Sequence, residues 1–550
     1  MTLSESSFDA VSVMSAAELF DRRVQETPGA AAIRTIQGEM TFGEWRQRAW
    51  SIRQLLADRF GALTGERIVL WMTNDEALAY ASAFQAVIDA AAITVALDDR
   101  LAVAEARRVM REAEPRALLL TPLVAQRLGD EGLAALGTPS LDPSRLDVDM
   151  IVLPVAGDGC IDDPLGWAPS DVPDPPATSG ARPDQDVMIA YTSGSTGAPK
   201  GALWTQSALC QYAERVSNAI YADPRGGRPL RSDDVLQSPI PLYTAASIIE
   251  NLYPAVFAGC TLVYEGRRFD ALASETRMRE HGTTVYNGVP PHYALMCELP
   301  PPPAQRAPEV MVTSGSAFTA ELYRRMRERW PATAIANWYG LNESGTGQTL
   351  NHGADMERCP GSIGRPIWPT EVRIVDAAFE PVAQGSEGEL WMRAPGQMSG
   401  YFRNPEQTAE RLHDGWLRTG DRAMIDADGL IHVIGRAEER INRGGFKFYP
   451  GEIEAVLEEH PGVREAAVVA VPHAVLGEDP VAFVVATGDV DEEALRAHCR
   501  RHIAANKIPS RVLLVDELPR GAYGKIVRRE VLRRYGALLG ADATRERLSA

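Results

Sequence analysis

Hydrophobic and polar residues alternate with two different periods along the first hundred residues. Thr41 to Glu44 reads Thr-Phe-Gly-Glu, a capping box, and the amphipathic run after it predicts a helix that extends to Leu56. Short apolar runs at residues 68–72 and 93–97 predict strands, and residues 76–91 between them predict a helix. This order is typical of a parallel sheet that is covered by helices. We therefore expect an α/β fold, with a large N-terminal domain of parallel or mixed sheets flanked by helices.

A different pattern begins near Gly435 and Arg436. Residues 451–459 predict a helix, and Pro450 suits the start of one because its missing N–H needs no partner there. The other predicted elements are a helix at 492–503 and strands at 465–471, 481–486 and 512–515. These elements indicate a small α+β domain of about 115 residues. We therefore place the two domains at residues 1–435 and 436–550.

Length, charge and cysteine usage restrict the class of protein. A chain of 550 residues exceeds what one hydrophobic core usually supports, which agrees with two domains. The formal net charge of −18 argues against nucleic acid as the main partner, because phosphate backbones need a basic surface. Six cysteines without a CxxC or metal spacing fit a reducing compartment. The sequence has neither a secretory segment nor an apolar run long enough to span a membrane, so we expect a cytoplasmic protein. The sequence does not decide the oligomeric state.

The most informative stretch is residues 191–201, YTSGSTGAPKG, which follows a strand-like run at 187–191. Its glycines allow a tight fold in which successive N–H groups point at one anion, and its hydroxyls and lysine add donors and charge. This suits the phosphates of a nucleotide. It is not a Walker A loop, because Pro199 precedes the lysine and Gly201 follows it. The candidate phosphate ligands are Thr192, Ser193, Gly194, Ser195, Thr196, Gly197 and Lys200.

The whole string resembles the phosphate loop of the adenylate-forming superfamily, which contains acyl-CoA synthetases, adenylation domains of peptide synthetases, and luciferases. The resemblance extends over nearly the whole chain, since further stretches match in the same order and at similar spacing. They are Thr313-Ser-Gly-Ser-Ala317, Asn337-Trp-Tyr-Gly-Leu-Asn-Glu343, Leu417-Arg-Thr-Gly-Asp421, the hinge at Gly435-Arg436, and Pro519-Arg-Gly-Ala-Tyr-Gly-Lys525. Among these enzymes the chain is most similar to acyl-CoA ligases.

The resemblance implies a role for each matched position. Tyr339 would stack on adenine, Asp421 would accept hydrogen bonds from the ribose, and Glu343 would hold Mg²⁺. Lys525 would reach the carboxylate and the α-phosphate during adenylation. The other positions of the nucleotide site are Gly315, Ser316, Asn337, Gly340, Asn342 and Arg436. Asn342 stands where the family has Thr, and its amide can also donate to a phosphate.

These residue types suit the chemistry. Attack of a carboxylate on a phosphate brings two anions together, so cations must neutralise both. Lys525, a Mg²⁺ ion on Glu343, and the 191–201 loop would supply that charge without a covalent enzyme nucleophile. Taken singly, each residue has an ordinary alternative: Asp421 as a turn carboxylate, Tyr339 as a packed aromatic, Lys525 as a solvated charge. Together and in order, they favour the site.

A second group of residues points to CoA as acceptor. Asn442 to Lys447 resembles the acyl-CoA ligase version of the hinge region, in which Gly444 and Gly445 would let a pantetheine chain pass close to the backbone. Glu438 occupies the hinge position, so the resemblance implies that the small domain is mobile and rotates between two half-reactions. Nine arginines between 496 and 534 are either a solvated helix face or an attraction for the CoA polyphosphate.

The resemblance implies that the acyl pocket lies near residues 241–247, Pro-Leu-Tyr-Thr-Ala-Ala-Ser, where amino-acid adenylation domains usually have an Asp. No carboxylate occurs there to bind an ammonium group, which argues against an α-amino acid as substrate. The candidate pocket residues are Tyr243, Thr244, Ala245, Ser247 and Gly288. The small residues among them suggest room for a bulky, mostly apolar carboxylic acid.

Three functions stay open at this stage. The first is an acyl-CoA ligase that uses ATP, Mg²⁺ and CoA. The second is an adenylating enzyme that stops at acyl-AMP or loads an acyl carrier protein. The third is a non-catalytic nucleotide- or acyl-binding relative, against which the presence of Lys200, Glu343, Asp421 and Lys525 weighs.

Overall fold

The computed structural model describes residues 14–99, 101, 103–136, 149–155, 180–192, 200–220, 229–266, 268–300, 307–436, 439, 441–443, 446–473, 476–521 and 525–546. Within these ranges the strands form four sheets, three of them before residue 437 and one after residue 440. The architecture is α/β, as the alternating pattern predicts.

The largest sheet has nine strands, and its centre is parallel. Antiparallel strands close both of its edges. In spatial order the strands are Arg365–Pro366, Thr346–Asn351, Ala334–Leu341, Val310–Thr313, Val285–Gly288, Val235–Ser238, Thr261–Tyr264, Ala31–Arg34 and Glu39–Thr41. The helices around it include Ala16–Glu26, Phe42–Phe60, Ala271–His281, Pro290–Cys297 and Ala320–Arg329.

The second sheet has seven strands and contains the predicted strand–helix–strand unit. Its strands, in spatial order, are Gly400–Tyr401, Lys200–Thr205, Asp186–Thr192, Ile93–Ala96, Arg67–Trp71, Ala117–Leu120 and Asp149–Val152. Helices Val103–Ala113 and Pro122–Leu136 also belong to this part of the chain.

One helix, Ala77–Asp89, lies between these two sheets, and every one of its residues is buried. Its apolar side chains share one hydrophobic cluster with Ile33 and Leu236 of the nine-stranded sheet and with Ile68 of the seven-stranded sheet. A helix that is apolar on all sides is stable only when it is covered on all sides, which explains why it packs at the centre of the layers. Gln206–Arg215 and Tyr253–Ala258 contribute to the same core.

A third sheet of five strands is entirely antiparallel and was not predicted as a unit. It consists of Glu371–Val375, Gly388–Arg393, Trp416–Ile425, Leu412–His413 and Ile431–Arg436. Gly353–Arg358 and Pro405–Arg411 are short helices near it in sequence. Asp421 lies inside the ten-residue strand Trp416–Ile425, so the ordinary alternative of a turn carboxylate at this residue is wrong. Buried and half-buried side chains alternate along most of that strand, and Asp421 is one of the buried ones.

Between Arg436 and Ile441 the chain passes into the fourth sheet, which is the one of the C-terminal unit. Its strands are Phe446–Phe448, Ile441–Arg443, Gly477–Ala486, Val463–His473 and Arg511–Leu514, with helices Pro450–Glu458, Glu492–His502 and Arg528–Glu546. The predicted helices and strands of the small α+β unit agree with these bounds to within a few residues. Among the described residues no helix is both long and apolar enough to cross a membrane.

Candidate active site

The predicted phosphate loop connects two paired strands. Asp186–Thr192 and Lys200–Thr205 run antiparallel, with Thr192 opposite Lys200. Gly201 stands opposite Tyr191, where a Cβ atom would come within 2.5 Å of the Ile189 Cγ2 atom. The strand part of the prediction is therefore confirmed. The proposed ligands Ser193, Gly194, Ser195, Thr196 and Gly197, and the side chain of Thr192, lie outside the described residues.

Glu343, the candidate magnesium ligand, is held by a tyrosine that the sequence did not indicate. The turn Asn342–Ser344 follows strand Ala334–Leu341 and buries Glu343 to 7% exposure. The Tyr401 hydroxyl donates to Glu343 Oε1 at 2.7 Å. Burial and the nearby carboxylate raise the pKa of Tyr401 well above its ordinary value, so the hydroxyl stays protonated and can donate. The Lys200 Nζ atom lies 5.8 Å from the centre of the Tyr401 ring, which brings a positive charge to the same place.

Asp421 and Tyr339 also meet, although 82 positions separate them in the sequence. The Tyr339 hydroxyl donates to Asp421 Oδ2, and Asp421 is 3% exposed. The Asp421 backbone N–H donates to Thr419 Oγ1 at 3.0 Å. Tyr339 belongs to the nine-stranded sheet and Asp421 to the antiparallel sheet, so the pair joins two sheets. The structure brings together the residues that the resemblance assigned to adenine and ribose.

The backbone around this pair explains two of the predicted glycines. Gly315 follows strand Val310–Thr313 with φ of 84°, a conformation that side chains other than hydrogen disfavour. Gly340 lies where a Cβ atom would come within 1.5 Å of the Thr346 carbonyl oxygen, so only glycine fits the close approach of the two strands. Ser316 and Asn342 are half-buried.

Asn337 has a structural contact. It is 4% exposed, and its Nδ2 atom donates to the Ser362 carbonyl oxygen at 3.4 Å. This contact occupies one of the two amide protons.

Four of the five predicted acyl-pocket residues lie in one buried segment, and two of these four have internal hydrogen bonds. Thr244 caps the short helix Ala245–Ser247, accepting from Ser247 N at 3.1 Å and donating to the Pro241 carbonyl oxygen at 2.7 Å. Ser247 is fully buried, and its hydroxyl lies 2.6 Å from the Tyr264 hydroxyl. We therefore assign Ser247 to packing. Tyr243 and Ala245 are buried as well, at 8% and 5% exposure.

Gly288 leaves room for tyrosine rings. A Cβ atom there would come within 3.1 Å of the Tyr286 ring and 3.3 Å of the Tyr293 ring. Its backbone N–H donates to the Tyr293 hydroxyl at 3.1 Å. Part of the reason for glycine at this position is thus internal packing.

A buried carboxylate stands beside this segment. Glu250, three residues beyond Ser247, is 3% exposed, and burial raises its pKa to about 8. The expectation of no carboxylate holds for residues 241–247 but not for the segment that follows them. A charged residue inside the apolar run Ile248-Ile249-Glu250-Asn251-Leu252 is the signal that could have revealed it.

Backbone hydrogen bonds join the described residues on the two sides of the C-terminal motif, residues 519–525. Gly521 N donates to the Lys525 carbonyl oxygen at 2.8 Å, and Val527 N donates to the Pro519 carbonyl oxygen at 2.9 Å. The Lys525 side chain is exposed. Arg520 of this loop forms an ion pair with Glu465.

The same loop is close to the N-terminal part of the chain. Burial lowers the pKa of His292, on helix Pro290–Cys297, to about 3, and the Arg520 charge contributes to this shift. Arg436 ends its strand opposite Asp421, and its side chain is outside the described residues, as are Glu438, Gly444 and Gly445.

Most of the nine arginines between residues 496 and 534 form ion pairs with carboxylates. Arg500 pairs with Glu493 at 2.6 Å, and Arg528 pairs with Glu454 at 2.7 Å. Further pairs join Arg511 to Glu492, Arg533 to Glu530 and Arg534 to Glu517. Local neutralisation of this kind favours a solvated surface over a polyphosphate-binding patch.

Comparison with known proteins identifies the family of the chain. The family model for the AMP-binding enzyme matches residues 20–402, and the model for the AMP-binding enzyme C-terminal domain matches residues 452–525. A feruloyl-CoA synthase from Amycolatopsis is 32% identical over 522 residues, which cover 94% of this chain and 98% of that protein.

Two solved structures share the fold. ATP-bound MatB from Rhodopseudomonas palustris has a TM-score of 0.80 at 26% identity and covers 95% of this chain and 99% of its own. The amide bond synthetase McbA from Marinactinospora thermotolerans has a TM-score of 0.78 at 28% identity, covering 94% and 99%. The chain therefore belongs to the AMP-binding enzyme family, and it is an adenylate-forming acid–thiol ligase.

Proposed function

We propose that this enzyme activates a bulky, mostly apolar carboxylic acid with ATP and transfers the acyl group to CoA. The observation that carries the proposal is the convergence of two tyrosine–carboxylate pairs, Tyr401 with Glu343 and Tyr339 with Asp421, beside Lys200. The feruloyl-CoA synthase similarity supports an acid with an aromatic ring.

In the first half-reaction, an oxygen of the acid's carboxylate forms a bond to the α-phosphorus of ATP, and the bond from that phosphorus to the pyrophosphate oxygen breaks. The products are acyl-AMP and pyrophosphate. Asp421 accepts hydrogen bonds from the ribose hydroxyls, and the Tyr339 ring covers the adenine. Glu343 is the residue that would hold Mg²⁺, whose charge offsets that of the phosphates when it is bound. A buried carboxylate fixed by a tyrosine fits such an ion, because oxygen atoms are the ligands that Mg²⁺ prefers.

In the second half-reaction, the sulfur of the CoA thiol attacks the acyl carbon, AMP leaves, and a thioester forms. We assign Lys525 to the first half-reaction, where its charge lies against the attacking carboxylate and the α-phosphate. Glu438 is the hinge about which the C-terminal unit turns. We assign Gly444 and Gly445 to the passage of the pantetheine chain, because a glycine has no side chain to oppose it.

A second candidate function has one observation in its favour. The similarity to an amide bond synthetase extends over 94% of this chain, so an acyl-AMP whose acceptor is an amine is compatible with the same fold. An acyl carrier protein is the other alternative acceptor.

One experiment separates these functions. The purified protein is mixed with ATP, Mg²⁺ and a panel of aromatic and aliphatic acids, with and without CoA, and pyrophosphate and thioester are measured separately. We expect pyrophosphate from the preferred acids and a CoA-dependent thioester. Pyrophosphate without any CoA thioester would favour the second function, and the absence of both would overturn adenylation itself.

A further inference from the structure

Three side chains of a kind that binds metal ions lie together in the C-terminal unit, outside the site described above. Glu459, His498 and His502 each offer one ligand atom, and these three atoms all lie within 4.8 Å of one another. Two imidazole nitrogens and one carboxylate oxygen are a donor set that occurs at zinc sites. The proposed function uses none of these residues.

The two histidines project from one face of one helix. His498 and His502 are four positions apart on helix Glu492–His502, and side chains at this spacing lie on the same side of a helix. It is also the spacing at which a helix presents two histidines to one zinc ion. The carboxylate comes from a second helix, because Glu459 is the residue that ends helix Pro450–Glu458.

The packing of the two helices fixes the backbone of this group. Leu457 of the first helix belongs to the same cluster of buried side chains as Leu495 and Cys499 of the second. The His498 Nε2 atom lies 2.9 Å from the Val456 carbonyl oxygen, so a hydrogen bond also joins the two helices. An ion would therefore meet ligands whose backbone positions are already set.

The hydrogen bonds of the two rings leave one nitrogen lone pair on each neutral ring. A carbonyl oxygen only accepts, so the proton of His498 is on Nε2 and its lone pair is on Nδ1. The His502 Nδ1 atom lies 2.8 Å from the His498 carbonyl oxygen, which places its lone pair on Nε2. Histidines that bind metals almost always donate their second ring N–H in this way, because the bond fixes the tautomer and the orientation of the ring.

His460 lies beside the group and has a packing role. Its ring is edge-on to the His498 ring, with 5.2 Å between the ring centres. Its Nδ1 atom accepts from the Gly462 backbone N–H at 3.1 Å, so the proton of the neutral ring is on Nε2. Both nitrogens of neutral His460 are thus committed, and the ring restricts the movement of His498 instead of adding a ligand.

The exposure of the three ligands suits an ion that enters from solvent. His498 is buried at 8% exposure, whereas Glu459 and His502 are exposed. Metal–nitrogen bonds of about 2.0–2.1 Å in a tetrahedral site place neighbouring ligand atoms about 3.4 Å apart. The atoms must therefore approach one another by at most about 1.4 Å from their present separations. Rotation of the two exposed side chains can supply this movement.

We propose that Glu459, His498 and His502 form a binding site for Zn²⁺, with water in the fourth position. The site is distinct from the Mg²⁺ site proposed at Glu343, because imidazole nitrogens suit Zn²⁺ and Mg²⁺ prefers oxygen ligands. The ion joins the end of one helix to the face of the next. It therefore stabilises the folded C-terminal unit, since the unfolded chain does not hold the three ligands together.

The test is a calorimetric titration of the full-length protein with ZnCl₂ near neutral pH, without ATP, acid or CoA and in a large excess of Mg²⁺. The excess of Mg²⁺ occupies sites that are built from oxygen ligands. We expect one Zn²⁺ ion to bind per chain. The midpoint of urea unfolding should also rise with Zn²⁺ concentration.

The variants are Glu459→Ala and His502→Ala, because both side chains are exposed and their loss leaves the core intact. We expect each to raise the dissociation constant for Zn²⁺ by at least about 10- to 100-fold, since that is the usual cost of losing a group that only orients a ligand. His473→Ala is the matched control. His473 is also exposed, but it stands at the far end of strand Val463–His473, which begins three residues after His460. This control should bind Zn²⁺ and gain stability from it as the wild type does.

Three results would overturn the site. The first is no binding of Zn²⁺ in the presence of excess Mg²⁺. The second is equal affinity in the wild type, Glu459→Ala and His502→Ala, which would show adventitious binding to other surface groups. The third is a loss of affinity in His473→Ala as large as that in His502→Ala. None of these measurements depends on adenylation or on transfer to CoA, so the proposed function stands or falls separately.

Discussion

The contact between Tyr401 and Glu343 gives a prediction that isolates one hydroxyl group. Tyr401→Phe removes the donor to Glu343 Oε1 and keeps the ring that lies beside Lys200. A hydrogen bond to a charged, buried acceptor contributes about 1.5–3 kcal/mol, which corresponds to roughly 10- to 100-fold in an equilibrium constant. Loss of a group that orients a metal ligand typically weakens metal binding by the same factor of about 10–100. The two estimates agree, so we expect the apparent dissociation constant for Mg²⁺ to rise by about 10- to 100-fold.

The assay is pyrophosphate release as a function of Mg²⁺ concentration at saturating ATP and acid. For Tyr401→Phe we expect a curve displaced to higher Mg²⁺, with most of the rate recovered at saturation. The matched control is Tyr253→Phe, because Tyr253 is a second buried tyrosine and its hydroxyl donates at 2.9 Å to the Oε1 atom of Gln85 on the central helix. The free energy of unfolding in urea should fall by a similar amount in both variants, but only Tyr401→Phe should shift the Mg²⁺ curve.

Two results would refute this reasoning. An unchanged Mg²⁺ curve in Tyr401→Phe, together with complete loss of activity in Glu343→Gln, would show that Glu343 needs no positioning by the tyrosine. A shift of equal size in Tyr253→Phe would show that the effect follows from general loss of stability.

The sequence predicted helices and strands well where residues close together in the sequence determine them. The capping box is present as expected: Thr41 Oγ1 accepts from Glu44 N at 3.2 Å, and Glu44 Oε2 accepts from Thr41 N at 2.8 Å. The helix runs from Phe42 to Phe60, four residues past the predicted end at Leu56. The motif residues followed from the resemblance, and the structure adds that Gly340 is required by packing.

The contacts that complete the site were not predictable in the same way. Tyr401 and Glu343 are 58 positions apart, and they meet only because the short strand Gly400–Tyr401 pairs with the edge of the seven-stranded sheet. The hydrophobic pattern of a short stretch of sequence cannot predict that pairing. The position of Asp421 within a strand was missed for a related reason: Gly420 suggests a turn, whereas here its φ of 73° occurs inside the strand Trp416–Ile425.

Three further predictions concern catalysis, domain motion and pH. Lys525→Ala should slow acyl-adenylate formation by about 100- to 1,000-fold and largely spare thioester formation from prepared acyl-AMP, so equal losses in both half-reactions would contradict its assignment. Glu438→Pro should retain pyrophosphate release in the first turnover and lose acyl-CoA production, because proline fixes φ near −65° at the hinge; two intact half-reactions would argue against a moving domain. Burial raises the pKa of Asp21 to about 7 despite Arg46 at 3.0 Å, so the folded state binds a proton that the unfolded state has released, and stability falls as pH rises from about 4 to 7. At pH 8 the free energy of unfolding of Asp21→Asn, measured by urea titration, should therefore exceed that of the wild type by up to about 4 kcal/mol. The difference should be smaller at pH 5, and the same difference at both pH values would exclude this origin.

The two tyrosine–carboxylate pairs also explain how a site is assembled from three sheets. Tyr401 extends the seven-stranded sheet and binds Glu343, which lies in the turn after a strand of the nine-stranded sheet. Tyr339, on that same strand, binds Asp421 of the antiparallel sheet. Each carboxylate with a proposed ligand role is thus fixed by a hydroxyl from a different sheet, so its position depends on how the sheets pack and not on one local motif. A substitution that shifts one sheet against another should therefore reduce nucleotide or Mg²⁺ binding before it unfolds the protein.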